Sequence, residues 1–236
     1  MRMIEPRSAR RAAAVLSCLL CVGALADEDA GGARVSAASQ WSAAMSRTDL
    51  ALGRIDADHD DAYLYRLPYG DDVSFPIIQG YGAKLSHRGA EQYTLDFGMP
   101  VGTPVHAARD GVVVLVEDSH DLGCPREECG RFANFVVVLH SDGTTGEYFH
   151  LERGSAQVHV GERVARGQWL ARSGNTGFST APHLHFGVYR TGHDRTTESL
   201  AVRFQTRSGE IGTPRSGAQY LNPLDDRSAV AVRYTP

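Results

Sequence analysis

Two histidines separated by one residue occur in the stretch Pro182-His183-Leu184-His185-Phe186 of this chain. Side chains alternate between the two faces of a β-strand, so His183 and His185 would share one face while Leu184 and Phe186 point into the core. Two imidazoles on one face can address a single small site, and histidine serves both as a metal ligand and as an acid or base. The pattern predicts a chemical site, although a solvent-facing pair without a role has the same spacing.

Three further residues, earlier in the chain, could complete such a site. Asp96 lies in an apolar-flanked run, where a carboxylate needs a positive partner because burying an unpaired charge is costly. A metal ion or an arginine would serve, and the alternative is an aspartate that only caps a turn. His87 follows a glycine-containing loop and is a candidate companion ligand. His150 ends a β-like run and is another candidate, with a purely structural histidine as the alternative.

The elements that must position these residues are short β-strands. From residue 63 onward, runs rich in Val, Tyr, Phe and Leu are separated by turns with Gly, Pro, Asp or Asn, and no long amphipathic helix follows residue 55. This pattern predicts a single, all-β dominated domain with antiparallel sheets. The predicted strands are Val112–Val116, Phe135–Leu139, Gly146–His150, Gln157–Val160, Gln168–Ala171 and His183–Tyr189, followed by Val202–Phe204 and Gly209–Ile211.

The N-terminus has the order of a secretory signal peptide. A basic start, an apolar run, the small-residue site Ala24-Leu25-Ala26 and an acidic stretch follow one another. We therefore expect cleavage near Ala26 and an extracytoplasmic location, periplasmic or secreted. The alternatives are a buried N-terminal helix and a lipoprotein modified at Cys18 or Cys21. The expected divisions of the chain are 1–26 signal peptide, 27–62 linker or irregular segment, 63–190 core and 191–236 β extension of the same domain.

Two of the four cysteines, Cys124 and Cys129, remain after such cleavage, in a loop flanked by glycine and proline. In an exported protein a disulfide that closes this short loop is the expected state. Half of a metal site is the alternative, but a zinc ribbon needs a second pair of cysteines, and none is left once residues 1–26 are removed.

Composition and charge exclude several classes of function. The chain has 24 basic and 28 acidic residues, a net charge of -4, whereas proteins that wrap nucleic acid are usually strongly basic. Beyond the N-terminal run, no apolar stretch approaches the ~18 residues of a membrane span. The glycine-punctuated stretch 158–174 resembles the hairpin of lipoyl and biotinyl carriers, but a carrier needs a lysine at its turn. The only lysine, Lys84, lies far upstream and excludes a carrier.

Taken together, the motifs resemble the lysostaphin/LytM-type zinc metallopeptidases, which cleave peptide bonds in bacterial peptidoglycan. The resemblance covers about residues 63–190, and it implies the antiparallel β-sandwich of the barrel-sandwich hybrid type. It depends on motifs that follow one another in a fixed order, with the last one the most specific. They are Gln79-Gly80, Ser86-His87, Leu95-Asp96-Phe97, Pro100–Val105, Ala107–Gly111, Asn134, Asp142-Gly143, Tyr148-x-His150-Leu151, the hairpin, Ser173–Gly177 and Pro182–Phe186.

By this resemblance, one Zn²⁺ ion per chain would be held by His87, Asp96 and His185. His150 and His183 would be catalytic histidines that do not bind the metal. Three protein ligands leave one coordination position open, as in catalytic rather than structural zinc sites. An imidazole could then take a proton from water and return it to the leaving amine. The implied substrate is a stem or cross-bridge peptide of peptidoglycan.

The sequence departs from the commoner family pattern in the spacing of the first two ligands. That pattern places the first histidine and the aspartate four positions apart, whereas His87 and Asp96 are nine positions apart. The segment Arg88–Leu95 must therefore loop out if both side chains are to converge.

Two other functions are compatible with the motifs. One is a non-catalytic LytM-like regulator that binds and activates a wall amidase, and the other is a secreted zinc peptidase that acts on proteins. All five expected site residues are present, which favours the wall endopeptidase because inactive relatives usually lack one or more of them.

Overall fold

A computed structural model describes residues 59–191 and 197–224 of the 236-residue chain. The expected signal peptide with its cleavage site near Ala26, both N-terminal cysteines and most of the 27–62 segment lie outside the described residues, as does the end of the 191–236 extension. Among the described residues, no helix combines the length and apolar character needed to cross a membrane.

Short β-strands make up most of the regular structure, and the helical segments among the described residues are two 3-10 helices, Gly89–Glu91 and Glu127–Phe132. The strands are β1 (Leu64–Tyr65), β2 (Ile77–Gln79), β3 (Leu95–Phe97), β4 (Pro104–His106), β5 (Gly111–Glu117), β6 (Gly123–Cys124), β7 (Phe135–Leu139), β8 (Thr145–Phe149), β9 (Arg163–Val164), β10 (Trp169–Arg172), β11 (Gly177–Phe178), β12 (Leu184–Thr191), β13 (Thr197–Ser199), β14 (Arg203–Thr206) and β15 (Gly209–Ile211).

The largest sheet has the strand order β2-β3-β12-β8-β7-β5-β9, and β13 pairs with the far end of β12. Every pairing in this sheet is antiparallel. Three smaller sheets accompany it: β1-β14-β15, β10-β4 and β11-β6. The all-β, antiparallel fold class expected from the sequence is confirmed, and the parallel exceptions among the described strands are two-residue pairings of β1 with β14 and of β6 with β11.

The main hydrophobic core lies between the large sheet and two of the smaller ones. Val138 of β7 and Phe186 of β12 pack in it with Leu170 of β10 and Phe204 of β14. The other face of β7 is also covered, because Val137 belongs to a second buried cluster. This two-sided burial explains why Phe135–Leu139 is continuously apolar instead of alternating with polar residues.

One predicted strand is wrong. The run Gln157–Val160 forms no ladder; the Gln157 amide donates to the Leu170 carbonyl at 2.7 Å, and the chain then turns. The cause is Gly161, which adopts the left-handed backbone region at φ 91° and donates to the Val113 carbonyl at 2.8 Å. The apolar residues at 158 and 160 have the two-residue spacing of a strand, but no partner strand lies beside them.

The C-terminal part of the described chain returns to the core. The strands expected at Val202–Phe204 and Gly209–Ile211 correspond to β14 and β15. Further on, the buried Asn222 side chain accepts from the Leu67 amide at 2.9 Å and donates to the Tyr69 carbonyl at 2.7 Å. The boundaries of the expected domains stay predictions.

Candidate metal centre

The ligand atoms of His87, Asp96 and His185 lie within 4.8 Å of one another. Strand pairing produces this cluster, because His185 of β12 stands directly opposite Asp96 of the antiparallel strand β3. His185 Nδ1 is 2.8 Å from Asp96 Oδ1, and His87 Nε2 is 3.2 Å from the same oxygen. The nine-position spacing between His87 and Asp96 does not prevent convergence.

Asp96 is almost fully buried, and its two oxygens have different neighbours. Oδ2 accepts a hydrogen bond from Gln79 Nε2 at 2.6 Å, whereas Oδ1 faces the two imidazoles. Burial alone would raise the pKa of this carboxyl, but the hydrogen bond from His185 and the nearby His87 ring hold it well below its usual range. Asp96 is therefore a carboxylate with one oxygen fixed by an amide and the other facing the cluster.

His87 is fully buried and comes from the loop after β2. Its Nδ1 donates to the Gly80 carbonyl at 3.1 Å, so in the neutral ring Nε2 carries the lone pair. Gly80 is required locally, because a Cβ there would lie 2.8 Å from the Pro214 carbonyl oxygen. His87 Nε2 is a buried nitrogen that makes no hydrogen bond of acceptable geometry.

These atoms form a donor set that suits a divalent cation. The buried Nε2 lone pair of His87, an ionised Asp96 oxygen and Nδ1 of His185 converge. A buried nitrogen without a hydrogen bond, such as His87 Nε2, is energetically costly unless it gains a partner. Two imidazoles and one carboxylate are a ligand combination used by zinc, and three protein ligands leave further positions for water or substrate. The residues present therefore fit the metal that the sequence motifs imply.

His185 has an acidic neighbour on each side of its ring. Nδ1 faces Asp96, and Nε2 lies 3.6 Å from Glu91 Oε2. Burial would lower the pKa of this imidazole, but the contacts with Asp96 and Glu91 raise it to about 10. In the metal-free chain, the imidazolium of His185 supplies the positive charge that the buried carboxylate needs.

His150 follows β8 and adopts φ 65°, the one left-handed non-glycine backbone among the described residues. This conformation is uncommon outside glycine and persists where surrounding contacts enforce it. The ring donates from Nδ1 to the Thr176 carbonyl at 2.7 Å, which leaves the Nε2 lone pair free to accept. Burial, with His183 and His185 beside the ring, lowers the pKa of His150 to about 3, so the imidazole is neutral.

His183 lies between His150 and the three-residue cluster. Its ring centroid is 4.5 Å from that of His150, and its Nε2 is 3.8 Å from Asp96 Oδ1. Nδ1 donates to the Ala181 carbonyl at 2.8 Å, with the Ser179 hydroxyl oxygen 3.1 Å away. Burial lowers the pKa of His183. Both rings therefore present Nε2 as a proton acceptor close to the candidate metal centre.

Comparison with known proteins identifies the domain that carries this site. The profile of peptidase family M23 matches residues 90–197. This segment is homologous to the M23 peptidases. It is 38% identical over 122 residues to the peptidoglycan DD-endopeptidase ShyA of Vibrio cholerae, covering 50% of this chain and 26% of ShyA. It is 41% identical over 132 residues to the glycyl-glycine endopeptidase ALE-1 of Staphylococcus capitis, covering 55% of this chain and 33% of ALE-1.

The similarity is confined to part of each protein. The aligned segments span a quarter to a third of the length of these two relatives. A crystal structure of a zinc-containing peptidase from Vibrio cholerae is 31% identical, with a TM-score of 0.40, and the alignment covers 53% of this chain and 36% of that one. The matched M23 segment contains Asp96, His150, His183 and His185, whereas His87 lies three residues before its start.

The structure brings all five expected site residues together, with the contacts given above. It also adds groups that sequence reasoning assigned no role, namely Gln79, Glu91 and Ser179. Their contacts depend on the folded chain and follow no spacing rule. His140, which belongs to none of the sequence motifs, is also buried, and its ring packs beside Tyr65.

Proposed function

We propose that this protein is an exported, zinc-dependent endopeptidase that hydrolyses peptide bonds of bacterial peptidoglycan. The observation that carries the proposal is the convergence of His87, Asp96 and His185 beside two neutral imidazoles. The names of the M23 relatives support the substrate class, because ShyA is a peptidoglycan DD-endopeptidase and ALE-1 is a glycyl-glycine endopeptidase. Either a stem peptide or a cross-bridge peptide suits this proposal.

In the proposed enzyme, His87 Nε2, Asp96 Oδ1 and His185 Nδ1 would hold the metal. Zinc bound there would supply Lewis acidity, which acidifies water and polarises a carbonyl. Gln79 donates to Asp96 Oδ2, so that Oδ1 is the oxygen left to face the two imidazoles.

The two remaining histidines move the proton. Each donates from Nδ1 to a backbone carbonyl, Thr176 for His150 and Ala181 for His183, so only Nε2 can accept. The ring of His183 is the nearer to Asp96 Oδ1, and we assign it the proton of the attacking water. Once protonated, an imidazole beside the reacting carbonyl can donate to the developing negative oxygen or to the leaving amine.

Export and the disulfide belong to the same proposal. The sequence pattern of residues 1–26 supports export, and the sulfur atoms of Cys124 and Cys129 lie at bonding distance with their Cα atoms 5.9 Å apart. Disulfides persist in oxidising compartments and are rare in the reducing cytosol.

The decisive experiment digests purified sacculi with the purified mature chain and identifies the released muropeptides by mass spectrometry. We expect peptide bonds to be cut by the wild type, zinc to co-purify, and both properties to be lost in His185→Ala. The matched control, His159→Ala, changes a histidine that is exposed, and should retain both.

Three outcomes would contradict the proposal. A chain that holds no zinc and cuts no wall peptide, but increases the activity of an added wall amidase, is the non-catalytic regulator. A chain that clears casein gels and leaves sacculi intact is a protein-directed peptidase. Cleavage that persists undiminished in His185→Ala would exclude the assigned metal centre.

A further inference from the structure

We propose that Glu91 is a positioning residue, whose carboxylate holds the Nε2 proton of His185 and thereby presents Nδ1 of that ring to the metal. This inference rests on the proposed function, since it concerns the zinc site. Glu91 lies in the segment Arg88–Leu95, which separates His87 from Asp96 by more positions than the commoner family pattern has. The segment therefore contributes a charged group to the centre in addition to spanning the distance.

The two nitrogens of the His185 ring have different surroundings. A neutral imidazole carries its proton on one nitrogen only, and the hydrogen-bond partner of the other nitrogen selects which. Asp96 Oδ1 and His87 Nε2 surround Nδ1, so Nδ1 is the nitrogen directed at the candidate metal centre. The Nε2 side faces Glu91 Oε2 at 3.6 Å, an ion-pair contact somewhat longer than a hydrogen bond. A carboxylate on the outer nitrogen of a metal-binding histidine fixes its tautomer and increases its basicity as a ligand.

A tyrosine side chain holds the Glu91 carboxylate in place. The Tyr189 hydroxyl donates to Glu91 Oε2 at 2.5 Å. Tyr189 is buried and belongs to β12, four residues after His185, so both side chains lie on the same face of one strand. Between them stands Gly187, where a Cβ would come within 2.6 Å of the Tyr189 ring. The glycine thus makes room for the tyrosine that fixes the glutamate.

The backbone of Glu91 is held as firmly as its side chain. Its amide donates to the Arg88 carbonyl at 3.1 Å, and its own carbonyl accepts from the amide and the hydroxyl of Thr94. The same segment is attached to β13, because the Tyr93 amide donates to the Ser199 hydroxyl at 2.9 Å. The Glu91 side chain is only 29% exposed. The Glu91 carboxylate is therefore held next to His185 Nε2 by its own backbone contacts and by Tyr189.

The test measures zinc affinity in the purified full-length mature chain by competition with a chromogenic chelator. Loss of a partner to a ligating histidine typically weakens metal binding by about 10- to 100-fold. We expect a loss in that range for Glu91→Ala and a smaller loss for Glu91→Gln, whose amide oxygen can still accept from Nε2. Tyr189→Phe removes only the hydroxyl that holds the carboxylate and should also weaken binding. The control, Glu198→Gln, removes an exposed carboxylate paired with Arg190 and should bind zinc like the wild type.

A second readout separates positioning from general stability. The visible absorption spectrum of the Co²⁺-loaded chain reports the ligand geometry, and we expect Glu91→Ala and Tyr189→Phe to change it while Glu198→Gln does not. Urea unfolding of the metal-free chains shows whether each variant is folded; if Glu91→Ala is not, Tyr189→Phe decides the question. Wild-type zinc affinity with an unchanged Co²⁺ spectrum in the folded Glu91 or Tyr189 variants overturns this inference alone. A wild-type chain that binds no zinc overturns the proposed function together with it.

Discussion

The buried imidazole of His140 makes the stability of this protein sensitive to mild acid, and the size of the effect can be worked out. His140 is 1% exposed, and burial, together with the charge of Arg109, lowers its pKa to about 3. Asp142 and His59 also face the His140 ring. Hydrogen bonds from Thr144 and Arg109 outweigh the effect of burial on Asp142 and lower its pKa to about 2. Between pH 5 and 7.5, Asp142 therefore stays ionised and His140 stays neutral in the folded chain.

The unfolded chain behaves differently, because an exposed histidine has a pKa near 6.5. As the pH falls below that value, the unfolded state takes up a proton at residue 140 that the folded state does not, so the free energy of unfolding decreases. From pH 7.5 to 5.0 the loss is about 2 kcal/mol, from 2.303RT multiplied by roughly 1.5 pH units. Any folded-state pKa of His140 below about 4 gives the same figure.

The assay is urea unfolding of the wild type and His140→Gln at both pH values, followed by circular dichroism. The variant loses stability at both pH values, but its further loss on acidification should be smaller than that of the wild type by about 2 kcal/mol. His159→Gln changes an exposed histidine and should follow the wild type. Equal pH dependence in the wild type and His140→Gln would refute the reasoning, because the imidazole would then be protonated alike in both states.

Three further predictions concern the site and its surroundings. Replacing His150 by asparagine, which tolerates the left-handed backbone found there, should reduce wall hydrolysis by about 10²- to 10⁴-fold while circular dichroism shows a retained fold; hydrolysis at the wild-type rate would exclude its role in proton transfer. Gln79→Leu removes the donor to Asp96 Oδ2 and should weaken zinc binding about 10-fold or more in a chelator competition, whereas unchanged affinity would mean that the amide does not orient the carboxylate. Mass spectrometry of the exported chain after thiol alkylation should show Cys124 and Cys129 unmodified unless a reductant is added first, and alkylation without a reductant would exclude the disulfide.

Hydrophobic periodicity predicted the strands that are buried in the folded protein. Val136 and Val138 point into the main core and their neighbours into the second cluster, so the continuous apolar run of β7 is readable as a buried strand. The same rule failed at Gln157–Val160, because alternation gives no information on whether a partner strand lies alongside. Pairing is a long-range property, and a glycine turn decided it here.

The site shows the same division between local and long-range information. The two-residue period of a strand predicted that the side chain of His185 points away from the core, while Leu184 and Phe186 are buried. Its registration against Asp96 is fixed by the pairing of β12 with β3, which no spacing in the sequence specifies. The prediction that Asp96 and His185 lie together came from the resemblance to a known family. Glu91 could not be found in this way, because its role depends on a hydroxyl group nearly a hundred positions later in the chain.

A single carboxylate oxygen explains why these residues form a centre for a cation. His185 Nδ1, His87 Nε2 and His183 Nε2 approach Asp96 Oδ1 at 2.8, 3.2 and 3.8 Å. A neutral imidazole carries one N–H group, and His87 and His183 use theirs in hydrogen bonds to backbone carbonyls, so Nε2 of each ring carries a lone pair. Two lone pairs and an anionic oxygen therefore face one another in a buried space, an arrangement that is unfavourable unless a positive charge lies among them. In the metal-free chain, the proton on His185 supplies this positive charge through its contact with Asp96. A divalent cation would supply it through contacts with all three groups, His87 Nε2, Asp96 Oδ1 and His185 Nδ1.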